Sequence, residues 1–253
     1  MVKKIVKYKQ LGNIALEWDS IVERRTKEII QGNDKSFSYI LFPRISNQVK
    51  EIARNKKINA IDCGCGSGMI TTAIYKYCEH VVGIDISRKS IELAKKNNVS
   101  DSIEYYNKSI EEYSKECIDQ EDVCILNMVL SNVENCLVVC KAVNRMLKVG
   151  GKVLITIPHP CFWPRYWQYD GEEWFNYKNQ ICMTSNFCIT QVGDLGEITH
   201  IHRPLEQYFQ ALLSSGFRII AFEELFSELS KGMNDFEYPR FVYIEAQKEG
   251  YIE

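Results

Sequence analysis

The residues best equipped for chemistry are gathered in one short stretch, Ala60-Ile61-Asp62-Cys63-Gly64-Cys65-Gly66-Ser67-Gly68. Glycines at alternate positions let ligand atoms approach the backbone, because no side chain intervenes and tight-turn conformations are open to them. Where such a turn joins a strand to a helix, the amides beyond it favour negative charge. Sites for nicotinamide dinucleotides use a similar turn, so the glycines alone leave the ligand open. Asp62 points elsewhere: a carboxylate before the first glycine weakens a pyrophosphate site and attracts an ammonium group. Asp85 ends the next apolar run, Val81-Val82-Gly83-Ile84, where its two oxygens can accept hydrogen bonds from both hydroxyls of a ribose. A dinucleotide explains Asp85 equally well. Farther on, Asn107-Lys108-Ser109-Ile110 sets a polar group beside an apolar one, a pairing suited to an adenine ring.

A second group of candidates lies in the C-terminal half. His159, in Pro158-His159-Pro160-Cys161-Phe162, has an ordinary pKa close to neutrality and is the first candidate for a base or an acceptor-orienting group. The alternative of equal weight is that it hydrogen-bonds a lid to the sheet. His200 and His202 come next, with structural roles favoured, and His80 reads as a surface residue. His159, Cys161, His200 and His202 are zinc-ligand types. The aromatic stretch between them shows no pattern of groups to orient such ligands, so no metal is expected. The 10 cysteines are scattered through apolar runs such as Val123-Cys124-Ile125, which reads as buried thiols in a reducing cytoplasm.

The elements that must position these residues follow from periodicity. Residues 15–30 and 45–53 read as amphipathic helices ahead of the main sheet. From Asn59, short apolar runs alternate with helical segments, the mark of parallel βαβ units. Strands are predicted at 60–62, 81–85, 103–106, 122–127 and 152–157, with helices over 69–77 and, capped by Ser87, to Asn97. Ser131-Asn132-Val133-Glu134 is a capping-box pattern for a helix with a stripe of Val133, Leu137, Cys140 and Leu147, stopping at Gly150-Gly151. Residues 158–203 lose periodicity and are rich in aromatics, among them Trp163, Tyr166, Trp167, Trp174 and Phe187, which predicts an inserted lid. Pro204 opens a last helix, ended by Gly216. Strands at 217–222 and 241–246, joined by a loop rich in Ser, Gly, Asn and Pro, form an antiparallel closing pair.

The chain of 253 residues, 45% hydrophobic, suffices for one core. The organisation expected is a single domain: residues 1–55 a helical cap, 56–158 the cofactor-binding core, 159–203 the lid and 204–253 the rest of the core. With 31 basic against 33 acidic residues and a formal net charge of −2, no global field draws the protein to nucleic acid. The basic N-terminus runs into polar sequence and does not read as a signal peptide, and no apolar run is long enough to span a bilayer. A soluble cytoplasmic protein is expected; its oligomeric state is not legible.

Taken together, Ile61 to Gly68, Val82-Gly83-Ile84-Asp85-Ile86-Ser87, the run from Asp122 to Asn127 and Arg145-Met146-Leu147-Lys148-Val149-Gly150-Gly151-Lys152 resemble the class I methyltransferases. The resemblance covers most of the chain and implies an α/β fold. Its Rossmann-like seven-stranded sheet is mostly parallel with an antiparallel last strand, helices on both faces, N-terminal helices and a lid after the fifth strand. It also implies S-adenosyl-L-methionine as cofactor. Gly64 and Gly66 would border the methionine part, with Asp62 and Cys65 beside them. Asp85 and Ile86 would hold the ribose, Ser109 and Ile110 flank adenine, and Asn127 lie at the methionine end. Trp18 and Phe42 either close over the cofactor or pack as core.

Ser109 stands where family members often have Asp. Val129-Leu130-Ser131 lacks the Asn-Pro-Pro-aromatic motif of nucleobase amine methylation, and Asn127 replaces the acidic residue of a magnesium site. The expected reaction is metal-free, in-line methyl transfer to an oxygen or nitrogen of a small molecule. His159 is its catalytic candidate, with Trp163, Tyr166, Trp167 and His202 around the acceptor. RNA or protein methylation is the nearest rival, followed by an oxidoreductase and a non-catalytic binding protein.

Overall fold

The structure is a computed structural model that describes residues 2–5, 11–189, 192–226 and 237–250, with only the backbone for 2–5 and 11–13. Its strands are β1 (Val2–Ile5), β2 (Ile58–Cys63), β3 (Cys78–Asp85), β4 (Ile103–Asn107), β5 (Glu121–Asn127), β6 (Leu147–Pro158), β7 (Ile181–Ile189), β8 (Gly193–His202), β9 (Phe217–Leu225) and β10 (Phe241–Lys248). Seven of them form one sheet in the order β4-β3-β2-β5-β6-β10-β9. The first five run parallel, and β10 is antiparallel to both β6 and β9. This is the fold the sequence predicts.

The central strands are apolar on both faces because helices cover both faces. Successive side chains of a strand point to opposite sides. Thus Ile61 of β2 joins a core with α6 (Cys136–Met146) and α8 (Leu205–Leu213), whereas its neighbour Ala60 joins one with α2 (Phe42–Ile52) and α3 (Met69–Ile74). The remaining helices are α1 (Leu11–Ile30), α4 (Arg88–Lys96), α5 (Ile110–Tyr113) and α7 (Trp163–Tyr166). As expected, the Ser87 hydroxyl caps α4 by accepting from the Ser90 amide.

The lid contains more order than its sequence predicts. β7 and β8 form an antiparallel hairpin, and β1 adds to its edge. Both faces of the hairpin are covered: Ile21 of α1 packs with Ile189, Leu195 and Ile198, and Met183 packs with Trp163 and Tyr169 on another side. Thr184, Ser185, Thr199, His200 and His202 are also buried, so no alternation of apolar and polar residues exposes the strands to inspection.

Two boundaries also differ. Ser131 caps no helix; α6 begins at Cys136, with the Asn135 side chain accepting from the Val138 amide. The segment before it is held as a loop. Ser131 O accepts from the Ile201 amide, and the buried Arg203 guanidinium donates to the carbonyls of Leu130, Val133 and Glu134. At the other end α6 stops at Met146, and Gly150, with φ +81°, and Gly151 lie at a slip in register between β5 and β6. A Cβ on Gly151 would sit 2.8 Å from Lys148 O, so the pair serves this bulge instead of a helix end. Most of the polar loop before β10 lies outside the described residues.

Candidate active site

Open α/β sheets bind ligands at the carboxyl ends of their strands, where the strand order reverses. Here that point lies between β2 and β5, and the glycine turn leaves β2 there. The Gly64 and Cys65 amides both donate to Ile84 O, at 2.7 and 3.0 Å, which straps the turn to β3. Gly64, with φ +74°, has no room for a side chain, since a Cβ would meet Val129 Cγ2 at 2.6 Å. Gly66 is the opposite case: at φ +55° its Cα faces open space, with nothing within 4 Å of an added Cβ. Asp85 completes this floor. Its Oδ2 accepts from the Gly66 amide at 2.9 Å and its Oδ1 from the Ser87 amide at 2.8 Å. Its pKa is raised, because burial outweighs those hydrogen bonds. Beyond β5, the Asn127 Oδ1 accepts from the Thr156 hydroxyl, and Met128 turns the chain at φ +62°, a conformation that costs a non-glycine residue about 1 kcal/mol or more.

One cavity of about 290 Å³ runs over this floor. Gly64, Gly66, Asp85, Ile86, Ser109, Ile110 and Asn127 line it below, and Trp18 from α1 lines it above. Helix α1 is fastened on two sides: the Asp19 carboxylate accepts from the Ser87 hydroxyl and the Lys89 amide, and Glu17 accepts from the Thr199 amide and hydroxyl. Beyond Met128 the walls become aromatic. Trp163 is the hub, with ring centroids 5.1 Å from Tyr166, 5.0 Å from Trp167 and 5.6 Å from Phe241. His200 stands 5.4 Å from the Trp167 ring, and Arg240 donates to the Tyr166 hydroxyl at 3.0 Å.

A family model described as a methyltransferase domain matches residues 61–155, which spans the glycine turn, Asp85, Ser109 and Asn127. The chain carries a class I S-adenosylmethionine-dependent methyltransferase domain. A solved structure from Listeria monocytogenes, assigned as an S-adenosylmethionine dependent methyltransferase, is similar at 26% identity over 81% of this chain and 96% of its own, with a TM-score of 0.66. A curated relative, the ubiquinone biosynthesis O-methyltransferase of Aeromonas salmonicida, is 28% identical over 98 residues, 38% of this chain and 41% of its own length. The chain thus matches less than half the length of that relative. In fold the domain also resembles the 1,6-didemethyltoxoflavin-N1-methyltransferase of Burkholderia thailandensis, solved with its acceptor and S-adenosylhomocysteine, at 11% identity and a TM-score of 0.60 over 98% of this chain and 94% of that one.

The cofactor of this methyltransferase domain is S-adenosylmethionine, and the donor end of the cavity fits it. The space over Gly66 is what a side chain would otherwise fill. Asp85 borders the same space, and Ser109 and Ile110 line it with a polar group beside an apolar one. The Ser109 hydroxyl also accepts from the Glu112 amide in a capping box, so α5 fixes its position. Asp62 and Cys65 are corrections. Neither lines the cavity. Asp62 is buried beneath the turn, bonded to the Thr71 hydroxyl at 2.7 Å, and its pKa rises to about 6 because burial penalises the carboxylate. The Cys65 thiol packs with Ile91, Ala94 and Tyr105.

The histidines are redistributed in the same way. His159 is buried but absent from the cavity wall. Its Nδ1 accepts from the Cys161 amide, which leaves Nε2 to donate to Glu224 at 2.9 Å. Both nitrogens are engaged, and burial lowers the pKa, so His159 is a neutral bracket between the lid root and β9. His202 Nε2 donates to Tyr177 O at 3.0 Å, also away from the cavity wall. The zinc set is therefore not assembled, and no metal-holding group of three occurs among the described residues. His200 alone of the three lines the cavity, and no described residue hydrogen-bonds to its ring. Burial, with His202 and Arg203 nearby, lowers its pKa to about 3.

Of the expected acceptor residues, Trp163, Tyr166 and Trp167 are brought together and His202 is not. Arg240 was not anticipated. It immediately precedes β10, and because Phe241 pairs with Pro158, the start of this antiparallel strand lies beside the carboxyl end of β6. The reversal of the last strand is the feature that places it there.

Proposed function

We propose that the protein transfers a methyl group from S-adenosylmethionine to an oxygen or nitrogen of a small molecule, by in-line displacement and without a metal. The observation that carries this reading is the continuity of one cavity from the Gly66 and Asp85 floor to the Trp163 cluster, with Asn127 and Met128 between them. When bound, S-adenosylmethionine supplies a methyl group on a positively charged sulfur, and the chain's own task is alignment and exclusion of water. Asp85, Gly64, Gly66 and Ile86 hold the donor's sugar and amino acid parts, Ser109 and Ile110 its base, and Asn127 its methionine end, while Trp18 closes over it. Trp163, Tyr166 and Trp167 hold the acceptor. The enclosure by α1 and the hairpin, and a volume near the low end of ligand pockets, favour a small acceptor over a polymer. Among the described residues no helix is long and apolar enough to cross a membrane.

The test is incubation with isotopically methyl-labelled S-adenosylmethionine and three classes of acceptor in parallel: hydroxy- and amino-substituted aromatic molecules, bulk RNA and denatured protein. Label in the small molecules alone is the expected result. Label confined to RNA or protein overturns the small-molecule reading.

A further inference from the structure

The acceptor end of the cavity carries an imbalance of hydrogen-bonding groups. Trp163 is only 9% exposed and its indole N–H has no acceptor among the described residues. A buried donor without a partner costs about 1–3 kcal/mol, and because Trp163 lines the cavity its N–H is a donor that a ligand can satisfy. Arg240 lines the same cavity, with its guanidinium carbon 5.2 Å from the Tyr166 ring centre and 5.6 Å from that of Phe241. The guanidinium's one hydrogen bond to a described residue leads to the Tyr166 hydroxyl, and no described carboxylate pairs with it.

Among the described residues, no acidic side chain of the cavity pairs with Arg240. Asp85 is bonded to the Gly66 and Ser87 amides, Glu111 lies on α5, and Asp34 accepts from the Phe37 amide with Arg25 Nε 3.8 Å away. The remaining walls at this end are flat rings: Tyr166, Trp167 and Phe241 around Trp163. An arginine at an aromatic site, with an unpaired indole donor beside it, recognises a planar oxyanion such as a carboxylate. A cationic acceptor would find no counter-charge there. His200, neutral and facing the same space, has a ring nitrogen for a polar hydrogen of the ligand.

Building on the small-molecule reading, we propose that the methyl acceptor is an anionic aromatic: a ring held among Trp163, Tyr166 and Trp167, its carboxylate on Arg240 and the Trp163 N–H, its hydroxyl on His200. Arg240 is then the residue that sets specificity, and His200 orients the hydroxyl.

The experiment uses ligands of one skeleton and three charges: 4-hydroxybenzoate, 4-hydroxybenzyl alcohol and 4-hydroxybenzylamine. Binding is read from tryptophan fluorescence, because Trp163 and Trp167 line the site, both with and without S-adenosylhomocysteine. 4-Hydroxybenzoate should bind about tenfold or more tightly than the alcohol, with the amine weakest. Arg240→Gln should bring the benzoate to the level of the alcohol, and Arg240→Lys should restore part of the preference. Equal or tighter binding of the alcohol or amine to the unaltered protein, a preference that survives Arg240→Gln, or binding of none of the three overturns the proposal. S-Adenosylhomocysteine titrated alone reports on the donor site, so failure of the methyltransferase reading and failure of the acceptor assignment are distinguishable.

Discussion

The two ends of the cavity are built from different materials. At the end proposed for the donor the floor is a backbone turn held rigid from within: glycines at φ +74° and +55°, amides strapped to Ile84 O and one carboxylate that ties the turn to β3. At the end proposed for the acceptor, residues converge from α7, β8 and the start of β10, and the rings of Tyr166, Trp167 and Phe241 gather around Trp163. The first arrangement tolerates almost no substitution within its turn, whereas the second can be rewritten ring by ring without disturbing the sheet. A fold can thus keep one donor while changing its acceptor.

The sharpest way to break this comparison is Gly66→Val. The added side chain enters the space assigned to the donor, so affinity for S-adenosylhomocysteine should fall by about 100-fold or more, with a loss of about 1–3 kcal/mol in folding stability from the positive φ. Calorimetric titration and thermal melting check the two halves of that statement. Unchanged affinity would remove Gly66 from the donor wall.

His200→Ala should act on the other end alone. Turnover of an identified acceptor should drop by about tenfold, with donor affinity unaltered, since His200 faces only the aromatic part of the assigned site. His159→Ala should do the reverse: a stability loss of about 1–2 kcal/mol from the broken link to Glu224, with turnover of the folded fraction largely kept. Melting curves and kcat on the same samples separate the two histidines. If His159→Ala abolishes turnover in fully folded protein, its placement as a bracket is wrong.

Asp62→Asn tests the boundary between recognition and support. The Asp62 pKa of about 6 lies above its ordinary 3.8, so the folded state binds a proton more readily than the unfolded one. Its contribution is full below about pH 4 and is lost as pH rises through 6, which leaves a cost on the order of 3 kcal/mol at neutral pH. An asparagine that keeps the Thr71 contact should therefore raise stability near pH 7.5, with the gain vanishing below about pH 4 in denaturant titrations. Donor affinity should change less than about threefold, whereas a direct contact with an ammonium group would cost about tenfold or more.

The lid histidines add an acid slope to stability. His159, His200 and His202 all have lowered pKa values in the folded state, with burial the leading cause. Below about pH 6.5 the unfolded chain takes up protons that the folded one refuses, so stability falls as pH falls, by up to about 1.4 kcal/mol per pH unit for each group. His200→Gln should flatten that slope between about pH 6 and pH 4. A slope unchanged by the substitution would mean that His200 is solvated.

The donor end was legible because its determinants are local. Gly64, Gly66 and Asp85 each follow an apolar strand run, and strand-turn-helix chemistry acts over a few residues. Asp62 was placed in the right turn but given the wrong direction, since the sequence does not show that Thr71, nine residues on in α3, claims its carboxylate. The acceptor end was legible only as an aromatic segment. Which histidine lines the cavity depends on the pairing of β7 with β8 and on Glu224, 65 residues from His159, and neither is a local property. The hairpin itself was hidden because α1 and the Trp163 cluster bury it, polar residues included.

The most direct test of the central claim, that the glycine turn and Asp85 form a methyl-donor site, is calorimetric titration of S-adenosylhomocysteine and of NAD into the unaltered protein and into Asp85→Ala. One molecule of S-adenosylhomocysteine should bind per chain and weaken by about tenfold to 100-fold in the variant, with no binding of NAD. Binding of NAD in its place, or S-adenosylhomocysteine affinity indifferent to Asp85, would contradict the account.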